Sequence, residues 1–110
     1  MTAWEQQFLP EASKEMGKLT EAVRVQVQKG LDKVAQNPLP QNEGGYGKPL
    51  RNDNQAKLAG LCKVKFREIG IRVVYKAVRQ DNVMRIIVVG VRSDKEVYEL
   101  ADARRRKYSL

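Results

Sequence analysis

The chain has 110 residues, with 21 Lys and Arg against 13 Asp and Glu, a formal net charge of +8 and no histidine. We expect a single domain over residues 1–110, because single domains commonly contain about 100–150 residues. The lack of histidine excludes Ser-His-Asp triads, histidine-ligated zinc hydrolases and two-histidine ribonucleases.

Cysteine content and hydropathy indicate where the protein works. The single cysteine, Cys62, cannot form an internal disulfide, which is typical of the reducing cytoplasm. No apolar run approaches the roughly 20 residues of a transmembrane helix. The first residues also lack the basic and apolar segments of a signal peptide. These features predict a cytoplasmic protein without a membrane partner.

The excess of positive charge lies entirely in the second half of the chain. Residues 1–55 contain seven basic and seven acidic side chains, whereas residues 56–110 contain 14 basic and 6 acidic ones. A solvated surface of mixed charge does not require this asymmetry. It indicates a polyanionic partner, with nucleic acid as the first candidate and an acidic protein as the second.

The N-terminal half predicts helices and a long loop. Residues 3–8 fit either a short edge strand or a helical lead-in. Pro10 and Glu11 suit the first turn of a helix that we expect over residues 10–18. A second helix is predicted over residues 20–36, because apolar residues recur at helical spacing: Val23, Val27, Leu31 and Val34. Residues 38–55 are rich in proline, glycine and asparagine and predict a loop.

The C-terminal half predicts an antiparallel meander followed by a helix. Strands are expected at residues 62–67, 71–78 and 83–91, with short turns between them. Ser93 and Glu96 have the spacing of a capping box, which predicts the start of the last helix. The fold class is therefore α+β. A pair of N-terminal helices packs on one face of a three- to four-stranded antiparallel sheet, and a short C-terminal helix follows.

The meander also predicts a basic surface. A period of two places three cations on one face of the first strand: Lys63, Lys65 and Arg67. Pairing across the following turn brings Arg72 beside this row. Arg92 follows the third strand, and Tyr98 lies in the first turns of the last helix. The sequence therefore predicts a concave sheet face lined by cations and one phenol.

Such a set of side chains suits cleavage of RNA without a metal. The 2′-hydroxyl must lose a proton and attack the adjacent phosphate, and fixed cations stabilise the charge that develops. Neighbouring cations can also lower the pKa of a lysine or tyrosine and make it a usable base. The alternative interpretation is a row of solvated lysines on an exposed strand.

Two segments resemble the RelE branch of the RelE/ParE toxin superfamily. CKVKFREIGIRVVY at residues 62–75 resembles the family's pair of strands, and VVGVRSDKEVY at residues 88–98 resembles its strand-to-helix corner. The resemblance in element order extends over residues 9–107. It implies the toxin of a type II toxin–antitoxin pair, an endoribonuclease that cuts translated mRNA in the ribosomal A site without a metal or other cofactor.

The resemblance also implies roles for the matched residues. Lys63 and Lys65 resemble the catalytic and phosphate-binding lysines, with Lys65 our choice for the general base, and Arg72 resembles the transition-state arginine. Arg92 resembles the arginine that stabilises or protonates the leaving group, and Tyr98 the tyrosine that stacks on or orients the scissile nucleotide. Further RNA contacts are expected from other cations: Arg67, Lys76, Arg104, Arg105 and Arg106.

The implied partners are mRNA, rRNA and a cognate antitoxin protein. Two alternatives stay open from the sequence. One is a ParE-like toxin that inhibits gyrase on the same fold, and the other is a noncatalytic RNA-binding module whose basic face follows backbone phosphates. Arrest of translation would indicate the nuclease, whereas DNA damage would indicate the gyrase inhibitor.

Overall fold

The computed structural model describes residues 3–52, 56–91 and 93–110. Over these residues the chain forms three α-helices and five β-strands. In chain order these are β1 (Glu5–Phe8), α1 (Pro10–Gly17), α2 (Glu21–Val34), β2 (Lys48–Pro49), β3 (Cys62–Phe66), β4 (Ile71–Val78), β5 (Val83–Gly90) and α3 (Asp94–Lys107). None of the helices in this described part is long and apolar enough to cross a membrane.

The five strands form one mixed sheet in the order β1-β5-β4-β3-β2. The antiparallel meander of β3, β4 and β5 is confirmed. The predicted α+β class is confirmed. The sheet has five strands rather than three to four, and it is mixed rather than purely antiparallel because β1 pairs in parallel with the first half of β5. Residues 3–8 therefore resolve in favour of the edge strand, which covers main-chain groups of β5 that would otherwise lie at an open edge.

The long loop predicted between α2 and β3 contains short ordered pieces. A turn of 3-10 helix spans Gln41–Glu43, and β2 pairs with β3 through Lys48 and Pro49. The hydroxyl of Tyr75 in β4 donates a hydrogen bond of 2.8 Å to the carbonyl of Pro38. The loop is thereby fixed across the end of the sheet.

Helices α2 and α3 pack on opposite faces of the sheet, which corrects the expectation of helices on one face. A Cβ at Gly30 of α2 would collide with the ring of Phe66, and a Cβ at Gly90 would lie 2.6 Å from Val97 of α3. Phe66 pairs with Ile71, and Gly90 pairs with Arg72. Neighbouring residues of a strand point to opposite faces, so the two contacts lie on different sides.

The core consequently has two layers around β5. Ile86, Ile87 and Val88 are all fully buried, as the continuous apolar run in the sequence predicted for a central strand. On α2 the predicted stripe supplies buried Val27, Leu31 and Val34. Sandwiching β5 in this way fixes the end of the strand from which α3 begins.

Local capping fixes where the helices start. Thr20 accepts a hydrogen bond from the main-chain nitrogen of Val23 at the start of α2. Ser93 accepts one of 3.4 Å from the main-chain nitrogen of Glu96, as its capping-box position predicted. Both hydroxyls satisfy amides that have no partner within the helix. Ser93 therefore sets the position of the first turn of α3 above the sheet.

Candidate functional site

The turn between β3 and β4 places two cations side by side. A turn of 3-10 helix at Arg67–Ile69 ends at Gly70, whose φ of 67° is a left-handed conformation that glycine adopts without a steric penalty. The resulting register sets Lys65 directly opposite Arg72. Directly paired residues have Cβ atoms about 5 Å apart, so the two positive side chains leave the same face of the sheet together.

Helix α3 covers this row with two side chains at a spacing of four residues. Asp94 and Tyr98 lie on the same side of the helix. The ammonium of Lys63 donates a hydrogen bond of 3.2 Å to the hydroxyl of Tyr98 and lies 5.8 Å from the centre of its ring. Gly90 permits this close approach, because any larger residue there would collide with Val97.

Asp94 joins the two paired cations. Its Oδ2 accepts a hydrogen bond of 2.9 Å from the ammonium of Lys65, and its Oδ1 accepts one from Nε of Arg72. The contact with Lys65, reinforced by Arg72, holds the pKa of the Asp94 carboxyl below its usual value. The three side chains are 23%, 29% and 40% exposed for Lys65, Arg72 and Asp94, so solvent reaches the cluster.

A cleft of about 260 Å³ opens beside this cluster. It is lined by the end of β3, the turn that follows and the start of β4: Lys65, Phe66, Arg67, Gly70, Ile71 and Arg72. A neighbouring depression of about 330 Å³ extends the cleft past Arg67 towards Gln26 of α2. Arg67 lines both depressions, and its side chain is exposed to solvent.

The structure thus brings together four of the five predicted site residues: Lys63, Lys65, Arg72 and Tyr98. Arg92, the fifth, lies outside the described residues. Asp94 belongs to the same cluster but was not predicted as a site residue. The signal was present, because Asp94 precedes Tyr98 by one helical turn.

Lys76 lies on the face of β4 that carries Arg72 but farther along the strand. Four residues along a strand correspond to about 13 Å. The ammonium of Lys76 donates a hydrogen bond of 2.6 Å to the main-chain oxygen of Leu110. A contact between Lys76 and RNA would therefore lie away from the Asp94 cluster.

Arg104, one of the predicted RNA contacts, points towards the interior of the protein. Its guanidinium donates two hydrogen bonds to Glu15 of α1, of 2.7 and 3.1 Å, and one of 3.0 Å to the carbonyl of Ile87. The side chain is only 12% exposed. Arg104 is therefore a packing residue between α3, α1 and β5, because its hydrogen-bonding groups face inward.

The next two arginines differ from each other. Arg105 donates to the carbonyls of Lys57 and Ala59, at 3.0 and 2.7 Å, and so ties α3 to the segment before β3. Arg106 lies 3.2 Å from Asp102 and is 72% exposed. Of these two, Arg106 has the side chain available to a partner in solution.

Together, the fold and the cleft define a small α+β protein with a cationic site at the edge of a hairpin, capped by the first turn of the last helix. The chain was compared with known proteins, and no family model matches it. A curated Escherichia coli protein named "Putative RelE-like toxin protein" is 34% identical over 103 residues, which cover 90% of this chain and 94% of that protein. The chain belongs to the RelE-like toxin family, and the predicted membership of the RelE/ParE superfamily is confirmed.

Solved structures agree with this assignment. A double-arginine mutant of E. coli toxin RelE in the free state is 29% identical, with a TM-score of 0.73, and the match covers 99% of this chain and all of that one. The toxin in the intact E. coli RelBE toxin–antitoxin complex is 30% identical, with a TM-score of 0.67, over 83% of this chain and 99% of that one. The RelBE2 complex of Mycobacterium tuberculosis, at 22% identity and a TM-score of 0.59, shares the fold.

Proposed function

We propose that this protein is the toxin of a type II toxin–antitoxin pair and that it cleaves translated mRNA on the ribosome, without a metal ion. The observation that carries the proposal is that four side chains meet on one face of the sheet, where two of them line an accessible cleft: Lys63, Tyr98, and the cleft residues Lys65 and Arg72. Family membership supports the toxin role. The partners in this proposal are mRNA in the ribosomal A site, rRNA and an antitoxin protein, and the location is the cytoplasm.

The proposed reaction is an internal transfer at phosphorus. The 2′-oxygen of the nucleotide attacks the adjacent phosphorus, the bond to the 5′-oxygen breaks, and a 2′,3′-cyclic phosphate and a 5′-hydroxyl end result. Lys65 takes the proton of the 2′-hydroxyl, and Arg72 stabilises the charge on the nonbridging oxygens. In this proposal Arg92 stabilises the negative charge on the leaving 5′-oxygen, which takes up a proton from water to become the 5′-hydroxyl.

Lys63 and Tyr98 orient the nucleotide. A phenol ring whose hydroxyl accepts a hydrogen bond from Lys63 is held in one rotamer, so it offers a fixed surface on which a base can stack. The exposed guanidinium of Arg67 borders the cleft and suits a flanking phosphate. A lysine in a solvated row would not be tied to a tyrosine of a separate element in this way.

An antitoxin partner is part of the same proposal. The E. coli RelE relative has been solved as the intact RelBE toxin–antitoxin complex, which supports a protein inhibitor for this chain. The C-terminal helix and the edge strands of the sheet are candidate contact regions for such a partner. A partner that moved α3 would also move Asp94 and Tyr98 away from the cleft.

The decisive experiment maps new mRNA 5′ ends on translating ribosomes after induction of the intact protein, of Lys65→Ala and of Lys29→Ala. Lys29 is an exposed residue of α2 and supplies a control with the same change in charge. We expect cleavage by the intact protein and by Lys29→Ala, and none by Lys65→Ala. DNA damage without new mRNA ends would favour the gyrase inhibitor, and RNA binding without cut products would favour the noncatalytic module.

Lys65→Arg separates the two ways in which Lys65 could act. Arginine keeps the positive charge but is not deprotonated in proteins. If Lys65 takes the proton, Lys65→Arg binds RNA and cuts as poorly as Lys65→Ala. Cleavage retained by Lys65→Arg would contradict the role of Lys65 as base and leave it as a source of charge.

A further inference from the structure

Asp94 is the acidic member of the cluster that it forms with Lys65 and Arg72 beside the cleft, and each of its oxygens accepts a hydrogen bond from one of these two paired cations. Oδ2 meets the ammonium of Lys65 at 2.9 Å, and Oδ1 meets Nε of Arg72. In a bound phosphate, two nonbridging oxygens on one phosphorus atom can each be held by a cation in the same way as the two oxygens on the carboxyl carbon of Asp94. The carboxylate therefore stands where the proposed mechanism puts the phosphate.

The start of helix α3 is capped by Ser93 and not by the carboxylate of Asp94. The side chain of Ser93 accepts the hydrogen bond from the main-chain nitrogen of Glu96, so Ser93 caps α3. Asp94 is also the most exposed of the three clustered side chains, at 40%. If the side chain of Asp94 rotated into solvent, Ser93 would still cap the helix, and Lys65 and Arg72 would stay in place on the hairpin.

Without an anion the two cations would repel each other. Lys65 and Arg72 are paired directly across the strands, and like charges in that position are unfavourable. A carboxylate between them removes this repulsion while no RNA is bound. The cleft is thereby kept in the geometry that an incoming phosphate requires.

We propose that Asp94 is an internal anion that fills the phosphate position between Lys65 and Arg72 in the RNA-free protein, and that the scissile phosphate displaces it. This inference rests on the proposed function, since it assigns the occupant of the same cleft. Asp94 is a positioning residue: it holds the cations together and lowers the affinity of the cleft for phosphates that are not presented correctly.

The first test measures binding of a short 2′-O-methyl RNA, which cannot be cut, to the intact protein, Asp94→Asn and Glu99→Gln. Glu99 is an exposed residue of the same helix, so both variants gain the same net charge. Two partly exposed ion pairs are worth about 1.4 kcal/mol together, so Asp94→Asn should bind about tenfold more tightly. Glu99→Gln should bind within about twofold of the intact protein.

The second test observes the carboxylates directly. We expect the carboxyl carbon resonance of Asp94 to shift when the RNA analogue is added to the intact protein, while that of Glu99 stays unchanged. A side chain with a purely structural role would keep its environment in the complex. Thermal unfolding of Asp94→Asn should show a folded protein, and Asp94→Ala provides a second variant with the same expected gain in affinity.

The inference is overturned if both Asp94 variants bind the analogue no better than Glu99→Gln, or if the Asp94 resonance does not move. Neither readout requires cleavage, so its failure is distinguishable from failure of the proposed function. If the intact protein does not cleave mRNA but the Asp94 variants still bind the analogue more tightly, the nuclease proposal fails and the proposal for Asp94 stands. If the intact protein cleaves mRNA but all variants bind the analogue equally well, the proposal for Asp94 fails and the nuclease proposal stands.

Discussion

The two ends of α3 carry similar chemistry in the sequence and very different chemistry in the structure. At the first turn, Asp94 meets Lys65 at 2.9 Å in a cluster that solvent reaches, beside the cleft. Ten residues later, which is about 15 Å along a helix, Arg104 meets Glu15 at 2.7 Å in a contact that is largely buried. Both are ion pairs between α3 and another element.

The two ion pairs differ in whether a ligand could take the place of the acidic side chain. Glu15 binds Arg104 with both oxygens, and Oε1 also accepts from the main-chain nitrogen of Val89. Its removal would leave several inward-facing donors without acceptors. Asp94 sits at a helix start that Ser93 already caps. The cation of the buried pair, Arg104, is therefore not available to a ligand, whereas Lys65 and Arg72 become available when Asp94 moves, and net charge alone cannot reveal this difference.

The largest expected effect is a loss of mRNA cleavage in Arg72→Ala, and its absence would contradict the comparison. Removing a donor aimed at developing charge lowers catalytic rates by about 100- to 1,000-fold, so the rate of mRNA cleavage should fall by that amount. Arg106→Ala, at the other end of α3, removes an exposed cation outside the cleft; a weaker RNA contact would lower affinity, but the rate at saturating RNA should stay within about twofold. Equal losses in the two variants would mean that the ends of α3 do not differ in function.

Arg104→Ala should produce the opposite pattern, with a loss of stability. It leaves Glu15 partly buried without its partner, which costs roughly 2–4 kcal/mol in the free energy of unfolding. Denaturant titration of Arg104→Ala beside Arg106→Ala measures this, and the second variant should change by less than about 0.5 kcal/mol. Unchanged stability in Arg104→Ala would return that residue to the RNA-binding candidates.

The cleft could be predicted from sequence where its geometry is local. The alternation of Lys63 and Lys65 with apolar residues fixes one face of β3, and the short turn ending at Gly70 fixes the register with Arg72. Both depend on neighbours within about ten residues. Family resemblance then supplied the roles of these residues, which spacing alone left open.

The parts that sequence reasoning missed depend on contacts between distant segments. Arg104 and Glu15 are 89 residues apart, and nothing near Arg104 distinguishes it from exposed Arg106. The choice of face by α2 and α3 depends on where Gly30 meets Phe66 and where Gly90 meets Val97. Asp94 is the intermediate case, because its helical spacing from Tyr98 pointed to the cleft.

Gly90→Ala should sharpen the comparison by disturbing the functional end of α3 more than the packing end. The new Cβ would lie 2.6 Å from Val97, so the first turns of α3 must move away from the sheet. Such overpacking costs about 1–3 kcal/mol, measured as the free energy of unfolding. The shift should also separate Lys63 from Tyr98, which the NMR signals of the Tyr98 ring would report.

Gly17→Ala is the matched control for that substitution. A Cβ at Gly17 meets nothing within 4 Å, and alanine is the better helix former, so we expect a gain of about 0.5 kcal/mol or less at this helix end. If Gly90→Ala were as stable as Gly17→Ala, α3 would not be seated on β5 as tightly as the structure indicates.

The smallest expected effect concerns the far end of α3, where Glu11 accepts hydrogen bonds of 2.7 Å from the hydroxyl of Tyr108 and 3.1 Å from Lys107. These donors, Tyr108 foremost, lower the pKa of Glu11 to about 2 from an ordinary value of 4.5. A lowered folded-state pKa contributes stability that is present above pH 4.5 and is lost as the pH falls towards 2. The unfolding midpoints of the intact protein and of Glu11→Gln should therefore differ at pH 6 and become equal as the pH falls through this range. A difference between the midpoints that does not depend on pH would show that Glu11 does not anchor this end of the helix through its charge.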